Sequence, residues 1–285
     1  MKLQRRDFLK TTLAASASAA VASRATAASS ASPSSSTERE YYELRCYGLR
    51  AVTRLKANAP LARLEGYLEK ALLPALQKRG VKNVGVFTEL DIKKENATSS
   101  RKPDSPLWVL IPHPSLDSFV NVSGDLLSDA ALQKAGASYL QVKKDSPPFE
   151  RIDSWLLRAF KGMPKLQLPA FSRSRQPNRI FEMRSYESYS ELKALTKMAM
   201  FDEGEINLMK DIGMSPVFFG QALAGKDLPH LTYITSAVDL SAHLANWKKF
   251  GPHPTWMKMK DDPKYADSVS QNTPRFLAPT AYSEI

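Results

Sequence analysis

The 285-residue sequence predicts an α+β fold. Two tandem ferredoxin-like βαββαβ repeats are expected to close a single intrachain, pseudo-dimeric α/β barrel. Three observations carry this prediction. The same landmarks recur in the same order in both halves of the chain. Each half reads strand, helix, strand, strand, helix, strand from its hydrophobic periodicity and its turn residues. Two such sheets placed together also bury edges that each would otherwise expose.

The first landmark is a strand. Tyr42-Glu43-Leu44-Arg45-Cys46-Tyr47 repeats as Phe181-Glu182-Met183-Arg184-Ser185-Tyr186: aromatic, Glu, long aliphatic, Arg, small, Tyr. A helix follows in each copy. In the first, Leu61, Leu64, Leu68, Leu72 and Leu76 share one face, and Pro74 is expected to kink it. In the second, Leu192, Leu195, Met198, Ile206, Met209 and Ile212 do the same, after a capping box read at Ser188–Glu191. Gly80 and Gly213 supply the left-handed stops. Strands Leu107–Ile111 and Leu231–Thr235 lead into helix starts at Ser115 and Asp239. Lys144–Phe149 then pairs with Lys260–Tyr265, and each copy ends in a terminal run, Ile152–Phe160 or Phe276–Ile285. The first copy is longer, with insertions expected at Arg50–Pro60 and Lys93–Pro106.

Ahead of the repeats, Arg5-Arg6-Asp7-Phe8-Leu9-Lys10, a mild apolar stretch to Val21, and Ala25-Thr26-Ala27 follow the order of a twin-arginine signal peptide. The predicted organisation is a signal at 1–27, a disordered tether at 28–39, a first repeat at 40–160, a linker at 161–178 and a second repeat at 179–285. Cleavage is expected after Ala27, with export by the twin-arginine machinery to the bacterial periplasm. Of the formal charge of +11, +4 belongs to the leader, and the remaining +7 is scattered rather than striped. No nucleic-acid partner is expected from it. No apolar run reaches the ~18 residues that a membrane helix needs. Cys46 is the only cysteine, so no intramolecular disulfide forms, and it reads as an inert core thiol.

Beside these landmarks, the Gly213-Met214-Ser215-Pro216-Val217-Phe218-Phe219-Gly220 turn and Trp247…Phe250…His253-Pro254-Thr255-Trp256 complete a pattern that resembles the NIPSNAP family. The resemblance covers Glu40–Phe160 and Arg179–Ile285, and the second copy alone keeps the His-Pro-x-Trp segment. It implies the dimeric α/β-barrel superfamily, whose members include small-molecule monooxygenases and haem enzymes. It implies no particular reaction.

Strand alternation divides the first strand of each copy into two faces. Tyr42, Leu44 and Cys46, with Phe181, Met183 and Ser185, are expected to pack on the helices. Glu43, Arg45 and Tyr47, with Glu182, Arg184 and Tyr186, are expected to line the barrel interior as ligand-binding candidates. Arginine can clamp a carboxylate, and a glutamate of raised pKa can take a proton. The structural alternative is mutual ion pairing. His253 with Trp256 is the asymmetric candidate: a general base, a haem ligand, or a cap on the preceding helix. His243 reads as core packing, and His113 and His230 as loop residues. No histidine pair has metal-ligand spacing and no cysteine or carboxylate completes a cluster, so no metal site is expected, and no cofactor is assigned.

The leading functional expectation is a small organic ligand held in the barrel. The alternatives are a non-catalytic scaffold that binds protein partners, and a haem-binding or monooxygenase-like enzyme.

Overall fold

The computed structural model describes residues 38–49, 59–103 and 105–285. The signal with Arg5 and Arg6, its cleavage point, nearly all of the tether and most of the Arg50–Pro60 insertion lie outside them.

The first half runs β1 (Tyr41–Gly48), α1 (59–78), β2 (Gly85–Lys93), β3 (Thr98–Arg101), β4 (Leu107–His113), α2 (Leu116–Asp125), α3 (Ala130–Ala135), α4 (Ala137–Leu140) and β5 (Arg151–Ala159). The second half runs, after a short α5 (Ala170–Arg173), β6 (Ile180–Glu187), α6 (191–211), β7 (Ser215–Ala224), β8 (His230–Ala237), α7 (Leu240–Phe250), α8 (Pro254–Lys260) and β9 (Gln271–Pro279). Strand order is β2-β4-β1-β5 in one half and β7-β8-β6-β9 in the other, the same arrangement twice. Antiparallel β5–β7 and β2–β9 pairings join the two sheets into a closed eight-strand barrel, as the repeats predict.

Local chemistry explains the helix ends. Ser115 and Asp239 accept the Ser118 and Ala242 N–H groups and start α2 and α7 where expected. Gly80 and Gly213 stand at φ +81° and +91° and end α1 and α6. The cap on α6 differs from expectation. Ser190, not Ser188, accepts the Lys193 N–H at 3.3 Å, while Ser188 is buried and donates to the Ser268 carbonyl. Ser190→Ala is therefore expected to cost about 1 kcal/mol in chemical denaturation.

Pro74 does not break α1. Leu68–Leu72 forms a π turn just before it, and Phe201–Glu205 forms one at the matching place in α6, where no proline follows. The wide turn thus belongs to the repeat rather than to the proline.

The two strand faces are the reverse of those expected. Tyr42, Leu44, Phe87, Trp108, Leu110, Leu157, Phe181, Met183, Phe218, Ile234 and Leu277 form one buried cluster to which all eight barrel strands contribute. This apolar row fills the lumen, with Phe87 and Phe181 from opposite halves 5.2 Å apart between ring centroids. Glu43, Arg45 and Tyr47, and their counterparts in β6, lie between the sheet and the helices. Tyr47 packs with Leu64 and Leu68, and Tyr186 with Met198 and Phe201. A ring of eight converging strands offers too little room for paired charges and their partners, whereas the sheet–helix layer supplies hydrogen-bonding groups from both sides.

Three smaller expectations are also corrected. β9 begins at Gln271, five residues before Phe276. The Lys93–Pro106 insertion is largely a hairpin, β2 with β3. His113 and His230 are buried strand residues rather than loop residues. Cys46 faces the lumen side, and burial, with Glu89 and Asp153 nearby, pushes its thiol up to about 12. A raised thiol pKa leaves little thiolate, the reactive form, at neutral pH.

Candidate functional site

Glu182 on β6 is the hub of the outer face in the second half. Its Oε1 lies 3.2 Å from Arg184 Nε, and its Oε2 accepts from His243 Nε2 at 2.7 Å and Trp247 Nε1 at 2.6 Å. One turn of α7 places His243 and Trp247 four residues apart on the side that meets β6. Burial works to raise the Glu182 carboxyl, but the His243 hydrogen bond, the Arg184 charge and the Trp247 hydrogen bond outweigh it. The group is held below its ordinary value and stays ionised at neutral pH. It is a positioning carboxylate, not the poised proton acceptor that the strand pattern alone allowed.

Arg184 is thereby fixed on three sides. Besides Glu182, its Nη1 donates to the Tyr186 hydroxyl at 3.2 Å, and its guanidinium carbon lies 4.5 Å from the Trp247 ring centroid. Tyr186 continues to Tyr233, hydroxyl to hydroxyl at 3.4 Å. Arg184 keeps about 19% of its side-chain surface, and that surface faces a cleft of about 720 Å³. Glu182 and Arg184 of β6, Leu244, Trp247 and Lys248 of α7, and Pro274 and Phe276 of β9 line it. The fourth wall is the 94–97 turn of the first-half hairpin, whose Ala97 packs against the Leu240 cluster. The insertion of one repeat thus completes the cleft of the other.

The first half builds the same row differently. Arg45 holds Glu43 through two bonds of 2.6 and 2.9 Å, and His113, on the neighbouring strand rather than on a helix, lies 3.8 Å from the same carboxylate. Facing Arg45 across the ladder is Val109, where Arg184 faces Tyr233.

His253 and Trp256 do not join the cleft lining. The His253 ring accepts the Thr255 N–H at 3.3 Å and caps the start of α8, while its backbone N–H donates to the Phe250 carbonyl at the end of α7 at 3.1 Å. With Nδ1 accepting, the neutral ring carries its proton on Nε2, which does not fit the haem ligand that the resemblance suggests. Trp256 packs on Phe250 at 4.9 Å. The residue the sequence reading missed is His243, only 1% exposed and bonded to Glu182. Its one signal was the i, i+4 spacing to Trp247.

A single-chain barrel of eight antiparallel strands, with a cleft between one sheet face and its helices, defines a dimeric α/β-barrel protein. Residues 181–284 match the NIPSNAP family model, so the second half of this chain is a NIPSNAP domain. Residues 2–22 match the twin-arginine translocation pathway signal sequence, which marks the chain for export. A candidate monooxygenase from Fusobacterium nucleatum shares the fold at a TM-score of 0.50 and 10% identity, over 85% of this chain and 93% of its own. A second candidate monooxygenase, from Lactobacillus acidophilus NCFM, superposes at a TM-score of 0.48 and 6% identity, over 85% and 94%. An uncharacterized NIPSNAP-like domain protein from Burkholderia xenovorans covers 37% of this chain and 89% of its own, at 15% identity and a TM-score of 0.33. A search of curated proteins finds no match. Among the described residues, no helix is long and apolar enough to cross a membrane.

Proposed function

We propose that this exported protein binds a small organic anion with an apolar body in the cleft of its second half, after leader cleavage at Ala27 and delivery to the periplasm. One observation carries the reading. Arg184 is held by Glu182, Tyr186 and Trp247 yet keeps an exposed edge on the cleft. A guanidinium fixed in this way loses little freedom when it pairs with a carboxylate or a similar anion. Lys94 and Lys248 add positive charge at the rim, and Trp247 and Phe276 supply an apolar wall. The proposed site lies between sheet and helix rather than in the barrel lumen.

The test uses the pseudo-symmetric arginine as its control. In native mass spectrometry of protein isolated from the exporting cell, the wild type is expected to carry a small-molecule adduct. Arg184→Gln loses it, and Arg45→Gln keeps it. An adduct that survives Arg184→Gln, or no adduct on the wild type together with no stabilisation by any aromatic acid, removes this reading.

A further inference from the structure

We propose that Lys197 and Glu205 form a positioning pair dedicated to the cleft, setting Tyr186 and, through it, Arg184 for ligand; the inference rests on the ligand-binding reading above. The two side chains are almost fully buried and pair at 2.8 Å beneath α6. Glu205 closes the π turn of α6, and Leu72 closes the matching turn of α1. Each stands eight residues before its helix-ending glycine, Gly213 or Gly80. In the same register, Lys197 matches Leu64. Leu64 and Leu72 are both 0% exposed. One chain therefore builds the same layer twice, once with two leucines and once with an ion pair.

That contrast is informative because a buried ion pair is weak evidence of stabilisation. Removing two charges from water costs several kcal/mol per ion, and apolar replacements of similar volume are often neutral or stabilising. The first half shows that this fold accepts the apolar solution at these positions. A third change falls in the same place: Tyr233 stands where the first half has Val109. All three polar substitutions surround Tyr186, whose counterpart Tyr47 packs against Phe149 without them. The Lys197 ammonium sits 5.5 Å from the Tyr186 ring, 4.6 Å from Phe201 and 5.6 Å from Trp256. The Tyr186 hydroxyl then accepts a hydrogen bond from Arg184 Nη1. The connection runs Glu205, Lys197, Tyr186, Arg184, cleft.

The test titrates naphthoate, an aromatic carboxylate, calorimetrically into the mature protein, with melting temperature recorded for every variant. K197L/E205L, which copies the first half, is expected to melt at or above the wild type and to lose about tenfold in naphthoate affinity. Tyr186→Phe, which keeps the ring over Lys197 but removes the hydroxyl, is expected to lose a comparable factor. Wild-type affinity in K197L/E205L, alongside loss in Arg184→Gln, overturns the positioning role and leaves the cleft reading standing. Unchanged affinity in Arg184→Gln, or no naphthoate binding by the wild type, overturns the cleft reading itself. If K197L/E205L melts far below the wild type, Tyr186→Phe decides the matter: retained affinity there overturns the connection.

Discussion

Phe181→Ala is expected to destabilise the protein by about 3–5 kcal/mol, read as a lower urea midpoint. Phe181 is fully buried in the lumen, and its ring meets Phe87 of the other half. A large core aromatic truncated to alanine loses its transfer energy and leaves a cavity that closed strands cannot collapse around. The informative measurement is the double-mutant cycle with Phe87→Ala. Side chains in contact across the lumen should couple by at least about 0.5 kcal/mol. If this row instead packed on the helices of its own half, Phe87 and Phe181 would be additive. Additivity would contradict the face assignment.

Glu43→Gln should cost on the order of 3 kcal/mol at pH 7, and the deficit should vanish in acid. Burial raises the Glu43 carboxyl, but the neighbouring His113 and the charge and hydrogen bonds of Arg45 outweigh it. The carboxyl falls from 4.5 to about 2. A depressed carboxylate contributes its stability above the unfolded pKa and loses it as pH falls through the folded one. The wild-type advantage should therefore be complete above roughly pH 5, small near pH 2 and gone below it. Urea unfolding of both proteins at a series of pH values measures the difference directly. A gap that stays constant across that window would show that Glu43 acts by shape alone.

The repeats, the order of elements along the chain and both glycine stops were legible because they depend on local chemistry that a period of two or 3.6 residues records. The face assignment was not. Alternation along Tyr42–Tyr47 shows that two faces differ, but both faces of a helix-covered barrel strand are buried, so polarity alone cannot say which side is the lumen. The start of β9 was missed for a related reason. Gln271, Thr273 and Arg275 are polar because they line the solvent-facing mouth of the lumen, and a polar run reads as loop. His243 looked like a core residue, and its burial was read correctly. What the pattern could not supply was the carboxylate on a strand 61 residues earlier that gives it a role. The Lys197–Glu205 pair was hidden in the same way, since its meaning appears only when the two long helices are set in register.

The β2–β9 seam has a consequence for the order of events in the cell. Along one edge, residues 87–90 of the first half pair with residues 276–279, far later in the chain. Until then β2 carries unpaired backbone groups on one edge, an invitation to pair with a neighbouring nascent chain. The targeting signal is made well before the closing strand. A route that carries folded cargo suits such a molecule, because early passage would separate the two sides of the seam, and delay leaves time for β9 to seal the barrel.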